Sequence, residues 1–447
     1  MSSATEQFAA NFNFGALARA GDLKARLKFT LLALLIYRAG TYIPLPGIDP
    51  QAWQDFFSQQ AGSIFDMFNM FAGGALQRMS IFTMSIMPYI TAAIIMQIMS
   101  HMVPFLDKIR REGPGGQQKI TQYTRYLTII FATVQAFALS TSLESMGGGS
   151  VVIDPGFFFR ATTVITLVGA TVFLMWIGEQ ITARGVGNGL SLIIFAGIVA
   201  ELPRAVAGTL EMSLQGAIAP FLLLFIVVMV VAVMTFVVFM ERAQRRLVVQ
   251  YPKRQVSAGK MFEGTSNYLP LKLNPAGVIP PIFASALLLS PMTMVGLSGS
   301  DGSPILDALS RHLQHGSATF MILYALLIVF FCFFHTAIVH NPDDQADNMK
   351  RSGGFIPGIR PGPPTANYIN FVMTRIIVIG SAYLVFVCLL PEFLLAKYGL
   401  PFYFGGTPLL IVVTVTIDTV AHIQSHLLAH QYEGLLKKTK LGGKRRT

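Results

Sequence analysis

Charge is what this chain has least of. Asp, Glu, Lys and Arg make up only 12% of its 447 residues, about half the share in an ordinary soluble domain. With 53% hydrophobic residues and a mean hydropathy of +0.57, it cannot coat a water-soluble globule with polar surface. It reads as a chain dissolved in lipid. Cysteine is almost absent too. Cys332 and Cys388 both lie in apolar runs, so a disulfide framework is excluded and two small buried hydrophobes remain. The familiar catalytic signatures are missing. No G-x-x-x-x-G-K-[ST] loop offers a phosphate cradle, and no H-E-x-x-H offers a zinc-peptidase site. His422, His426 and His430 repeat at helical spacing, which suits metal ligands on one face or, as expected here, polar residues at a membrane interface. No catalytic residue, cofactor or metal is expected.

Long apolar runs are what the chain does have. A span needs about 20 mostly apolar residues. Ten stretches qualify: 29–46, 78–99, 122–142, 161–180, 189–206, 219–240, 275–293, 318–339, 370–391 and 407–428. The first follows Lys24, Arg26 and Lys28, as a signal peptide would. It ends in YIPLPGID rather than at a small-residue cleavage site, so it is expected to be retained. Ten spans put both termini on one side. Of the 33 Lys and Arg, 27 then fall on that side and five on the other, with Arg38 inside the first span. Positive charge marks the cytoplasmic face, so both termini are expected there. Ten also divides into five and five, and an odd half makes the second half enter from the opposite face. The second span of each half carries proline: Pro88 in IMPYITAAIIMQIM, and Pro280 and Pro281 in NPAGVIPPIFASALLL. Interrupted helices at matching positions of inverted halves point to a pathway between the halves, although proline is common in membrane helices generally.

Ionisable residues inside the spans are few. Arg38 sits mid-span and Asp418 lies deep in the tenth run, while Glu179, Arg184 and Arg375 are close enough to span ends to snorkel. That is sparse for an ion-coupled relay, so a secondary transporter of a small solute is the weaker alternative. An intramembrane protease, which needs paired carboxylates, is weaker still. The 241–274 loop is basic and contains RRLVVQY, which suggests a two-stranded excursion. The 340–369 loop holds Arg360 between Pro357, Gly358, Pro361 and Gly362, which places it at a turn tip. Such loops suit a large acidic partner, or are ordinary cytoplasmic charge. FNMFAGGALQ, at 68–77, is a separate puzzle. It is too short to span, and two adjacent glycines weaken it as a helix by roughly 1 kcal/mol each.

Eight segments, YIPLPGID, FNMFAGGALQRMSIF, IMPYITAAIIMQ, KITQYTRY, FLMWIGEQITARGVGNGLSLIIFAGIVA, PLKLNPAGVIPPIFA, ADNMKRSGGFIPGIRPG and FYFGGTPLLIVV, resemble the SecY family of bacterial Sec channel subunits, from about Leu23 to Glu433. The resemblance implies an all-α polytopic membrane protein, with ten transmembrane helices in two inverted five-helix halves around a central hourglass pore. It divides the chain into a cytoplasmic arm (1–22), an N-terminal half (23–212), a C-terminal half (213–433) and a basic cytoplasmic tail (434–447). It makes the segment near 62–74 a plug, with Phe65, Phe68, Met70, Phe71, Gly73 and Gly74; the glycines would loosen its link to the next span. A surface-lying interfacial helix is the rival reading. The pore ring implied is Ile86, Ile90, Leu190, Ile194, Ile282 and Ile411. Spans two and seven, with Pro88, Thr91, Pro280 and Pro281, would form a lateral gate, with spans three and eight alongside. Arg360, Arg245, Arg246, Lys253 and Arg254 would meet the SecA ATPase or the ribosome, alternately, so that energy enters through a partner. SecE and SecG subunits, secretory preproteins, signal peptides and membrane lipid complete the implied partners. The implied location is the bacterial cytoplasmic (inner) membrane.

Overall fold

The computed structural model describes residues 21–59, 69–145, 151–216, 220–251, 267–297, 317–398 and 405–442. Each of the ten apolar runs has a helix. In chain order these are α1 (Gly21–Gly40), α3 (Met87–Met102), α5 (Pro114–Ser145), α6 (Phe157–Arg184), α7 (Gly189–Leu214), α8 (Pro220–Arg242), α9 (Ile279–Leu297), α10 (Ala318–Val339), α12 (Pro363–Tyr398) and α13 (Gly406–Gly442). Three short helices fill connections: α2 (Pro50–Gln59), α4 (Pro104–Arg111) and α11 (Pro342–Arg351). Among the described residues, seven helices are long and apolar enough to cross a membrane. An eighth qualifies if α3 and α4, bent by 95° at their junction, count as one broken span. α1 carries Lys24, Arg26, Lys28 and Arg38, which dilute its hydropathy. α9 contributes a shorter apolar run, Ile279–Leu288.

Two span readings need correction. The second run does not start its helix at residue 78. Residues 72–86 are turns and a single bridge, and α3 begins at Met87. Pro88 therefore stands in the first turn of α3, and Pro280 and Pro281 in the first turn of α9; none interrupts a helix. A proline lacks only an N–H that is orphaned in the first turn anyway, and its fixed φ suits a helix start. Among the described residues, the prolines that do lie well inside helices are Pro203 in α7, Pro291 in α9 and Pro391 in α12.

The outward faces are apolar because their solvent is hydrocarbon. α8 is the extreme case: its most apolar window has a mean hydropathy of 3.2 and is only 11% buried. Inside, one apolar cluster draws on α1, α3, α6, α7, α8, α9, α10, α12 and α13. α3 packs on α5, α5 on α6, α9 on α10 and α10 on α12, while α9 also touches α3 and α5. A second cluster, around fully buried Trp53 on α2, includes Leu45, Ile48, Val151, Val152 and Phe159. Backbone pairing of Ile48 with Val152 ties the segment after α1 to the one before α6.

On the β side, β1 (Gln244–Val249) and β2 (Asn267–Lys272) pair antiparallel, Leu247 facing Leu269, as the two-stranded excursion requires. Gln250 then bridges to Phe355 through reciprocal backbone bonds of 2.9 Å. Leu247 and Leu271 share a small core with Ile356, Ile369 and Met373. The β1–β2 pair and the described part of the 340–369 connection thus form one body at the same end of the molecule.

Candidate functional site

Four helix starts converge on the interior. Ile86 precedes α3 and Ile90 lies one turn in; Leu190 and Ile194 lie in the first two turns of α7; Ile282 opens α9 and Ile411 opens α13. Ile86, Ile90, Ile194 and Ile411 are buried, with Ile411 fully enclosed. Leu190 and Ile282 are partly buried and pack against the same cluster. All six aliphatics thus belong to the central cluster, which also takes in Phe71, Ala72 and Ala75 of the FNMFAGGALQ stretch.

That stretch is seated rather than loose. Phe65 and Phe68 lie outside the described residues. Asn69, Met70 and Phe71 end a helical turn, and residues 72–79 form successive turns. Gly73 and Gly74 have φ of 65° and 78°, the left-handed region where a side chain is strained. A Cβ on Gly73 would lie 2.7 Å from the Gly197 Cα, and one on Gly74 would collide with a Glu201 carboxylate oxygen. These glycines therefore permit a close approach to α7. Met79 and Ser85 also have positive φ, 43° and 49°, without being glycine. Such backbone is costly and persists only where surroundings over-determine it.

Directional bonds hold the seat. Tyr37 donates its hydroxyl to the Ala72 carbonyl at 3.4 Å, and the Trp53 indole N–H donates to the Leu76 carbonyl at 2.9 Å. Arg38 donates to the Gly73 carbonyl and Arg78 to the Gly74 carbonyl. The Gln77 N–H donates to the Asn69 side chain at 2.8 Å, and Arg204 donates to the Gln77 side chain. Between the two guanidiniums sits Glu201, 3.3 Å from Arg38 and 3.4 Å from Arg78. Both guanidiniums also lie over the Tyr42 ring, at 5.2 Å and 4.4 Å, where a cation is attracted to the π face. Arg38 was visible in the sequence as a charge within a span. Glu201, Arg78 and Arg204 were missed as a set. Their only sequence signal was a pair of charges flanking Pro203 where an apolar run ends.

The seam between spans two and seven is mostly apolar. Pro88, Pro280 and Pro281 are buried at the starts of α3 and α9. Thr91 donates back to the Met87 carbonyl of its own helix rather than across the seam. Gln97 on α3 reaches the His335 ring on α10 at 3.2 Å, and Phe283 on α9 packs edge-on against Phe331. Past the bend, on α4, the Arg111 side chain bonded to Asp107, with Arg110 beside it, holds that carboxyl below its ordinary value.

The remaining candidates fall at the ends. Arg245 and Arg246 are exposed on β1, and Arg360 is exposed on a turn between Gly358 and Gly362, both with positive φ. The Thr365 hydroxyl donates to the Arg360 carbonyl at 2.8 Å and fixes that turn. Lys253 and Arg254 lie outside the described residues. Glu179 does not snorkel: it receives a two-pronged bond from Arg125, both contacts 2.8 Å. Arg375 stands over Phe371 at 3.8 Å, while Arg184 is exposed. Asp418, His422 and His426 are exposed on α13, and His430 falls outside the described side chains.

The SecY family model matches residues 80–420. A Vibrio cholerae protein translocase subunit SecY is 51% identical over 426 residues, covering 94% of this chain and 96% of its own. The Escherichia coli K12 protein of the same name is 51% identical over 425 residues, covering 95% and 96%. Among solved structures, a protein-conducting channel matches with a TM-score of 0.64 at 18% identity, covering 90% of this chain and 92% of its own. Sec61 from a canine ribosome–channel complex matches at 0.61 and 18%, with the same coverage. A SecY structure whose plug domain is described as stabilising the closed state and maintaining a membrane seal matches at 0.65 and 18%, again with that coverage. At that identity these structures speak to the fold.

Proposed function

The chain belongs to the SecY family, and from that premise we propose that it is a protein-conducting channel subunit. It moves unfolded secretory proteins across the membrane and releases signal sequences and apolar spans sideways into lipid. The observation that carries this reading is the aliphatic set Ile86, Ile90, Leu190, Ile194, Ile282 and Ile411, gathered from four helix starts into one apolar cluster. An aliphatic constriction dewets and blocks ions when empty. It also offers a passing chain no hydrogen bonds that would retain it. Family membership displaces the small-solute transporter reading.

Within this account the halves are 23–212 and 213–433, flanked by the arm at 1–22 and the tail at 434–447. Residues 62–74 close the pore as a plug, in keeping with the buried Phe71 and the tight fit of Gly73 on Gly197. α3 and α9 part as the lateral gate. The channel sits in the bacterial cytoplasmic membrane with both termini and the β1–β2 body in the cytoplasm. SecE and SecG join it there. SecA and the ribosome dock alternately on the basic body that presents Arg245, Arg246 and Arg360, with Lys253 and Arg254 added from the same loop. Fusion of the two loops through the Gln250–Phe355 bridge supports a shared surface.

Reconstitution tests the function. The chain is placed in vesicles with its partner subunits, the motor, ATP and a secretory preprotein. Protease protection of the preprotein that requires ATP is expected; none, from an assembled complex, contradicts the reading. Arg360→Glu is expected to lower motor-driven protection by tenfold or more, since charge reversal at an electrostatic docking surface is strongly unfavourable. Assembly should be unaffected.

A further inference from the structure

Glu201 stands where three observations meet. It is the only carboxylate bonded to either Arg38 or Arg78 among the described residues, and its side chain is 12% exposed against 25% and 24% for the arginines. Each arginine it joins donates to the carbonyl of one of the two left-handed glycines. Its oxygen also occupies the space a Gly74 side chain would take. Without this carboxylate, two guanidiniums over one tyrosine ring would repel each other in a partly desolvated place. Arg204, three residues on, holds Gln77 and adds a third positive charge. Glu211 lines the adjoining cavity of about 320 Å³ with Asn69, Met70 and Gln77, and is bonded to none of the three arginines.

We infer that Glu201 is a positioning residue that sets how readily the proposed plug leaves, by holding Arg38 and Arg78 together on the Gly73 and Gly74 carbonyls. The inference rests on reading residues 62–74 as the plug. Glu201 touches no substrate. It acts through the two arginines, and the strength of that clamp decides how good a signal sequence must be to open the channel. The charge balance makes the effect non-additive. Removing the carboxylate alone leaves two unneutralised guanidiniums, whereas removing Arg78 as well relieves their repulsion and leaves Arg38 on Gly73.

The test uses the assembled complex in lipid vesicles holding a halide-sensitive dye, with iodide added outside. Glu201→Gln keeps the shape and removes the charge. Idle leak is expected to rise about tenfold in this variant, since the pair is only partly exposed. The order of leak should be wild type, Arg78→Gln, the Glu201→Gln/Arg78→Gln double variant, then Glu201→Gln. The second readout is the ratio of export with a weakened signal sequence to export with an intact one. That ratio should rise in Glu201→Gln, whereas a merely structural lesion would lower both rates together. A variant lacking residues 62–72 separates the two claims. If that deletion leaks and Glu201→Gln does not, the clamp is wrong and the plug stands. If the deletion itself does not leak, the plug reading has failed. Should Glu201→Gln not accumulate, a wild-type leak from both Arg78→Gln and the double variant overturns the clamp.

Discussion

The seat of FNMFAGGALQ and the seam between α3 and α9 both close the molecule, but by different physics. The seat is built from directional bonds: backbone carbonyls of residues 72, 73, 74 and 76 each receive a side-chain donor from another part of the chain or from Arg78. Such bonds have one good geometry, and leaving them unmade inside the protein costs about 1–3 kcal/mol per group. The seam is apolar, with Gln97 and His335 its one side-chain link from α3 to α10 among the described residues. Dispersion and apolar burial are non-directional, so such a surface re-forms against many shapes. A part that must return to one position is held by geometry. A part that must accept guests of varied sequence is held by grease.

Substitutions can break this contrast, and the largest effect belongs to Trp53. It is fully buried and its indole carries the bond to Leu76, so Trp53→Ala should cost about 3–5 kcal/mol. A clear fall in the midpoint of thermal unfolding of the detergent-solubilised complex is the readout, and an unchanged midpoint would remove Trp53 as the anchor. Gly73→Ala comes next. Its φ of 65° and the 2.7 Å approach to Gly197 make the seat unattainable without backbone movement, at roughly 1–3 kcal/mol. Idle ion leak should rise with it. Gln97→Leu should do least. It trades one polar link in the seam for more apolar contact, so stability should stay within about 1 kcal/mol. Insertion of an apolar span should continue. Loss of insertion in that variant would mean the seam depends on directional bonding after all.

Much of the fold was legible because apolar length is a strong signal. Every run of the required length holds a helix, although in the second run the helix starts nine residues late. The turn at 78–86 was hidden because it is as apolar as the helix that follows, and hydropathy does not register Met79 and Ser85 at positive φ. Proline misled for a related reason: a sequence displays Pro88 and Pro280 but not the residue at which the helix begins, and a first-turn proline is a start rather than a break. The site was legible only in part. Arg38 stood out as a charge in a span, but its partner Glu201 is 163 residues away, and nothing local connects them. The β1–β2 hairpin could be read from RRLVVQY. Its bridge to Phe355 joins two loops separated by two spans and could not be.

The most direct measurement of the channel claim is a photo-crosslinking amino acid at Ile90, with a secretory chain stalled midway. The account predicts an adduct at Ile90, and a matching one at Ile282, that appears only with the motor or ribosome present. No adduct at either position, from a stable and membrane-inserted complex, would contradict passage of polypeptide through the aliphatic cluster.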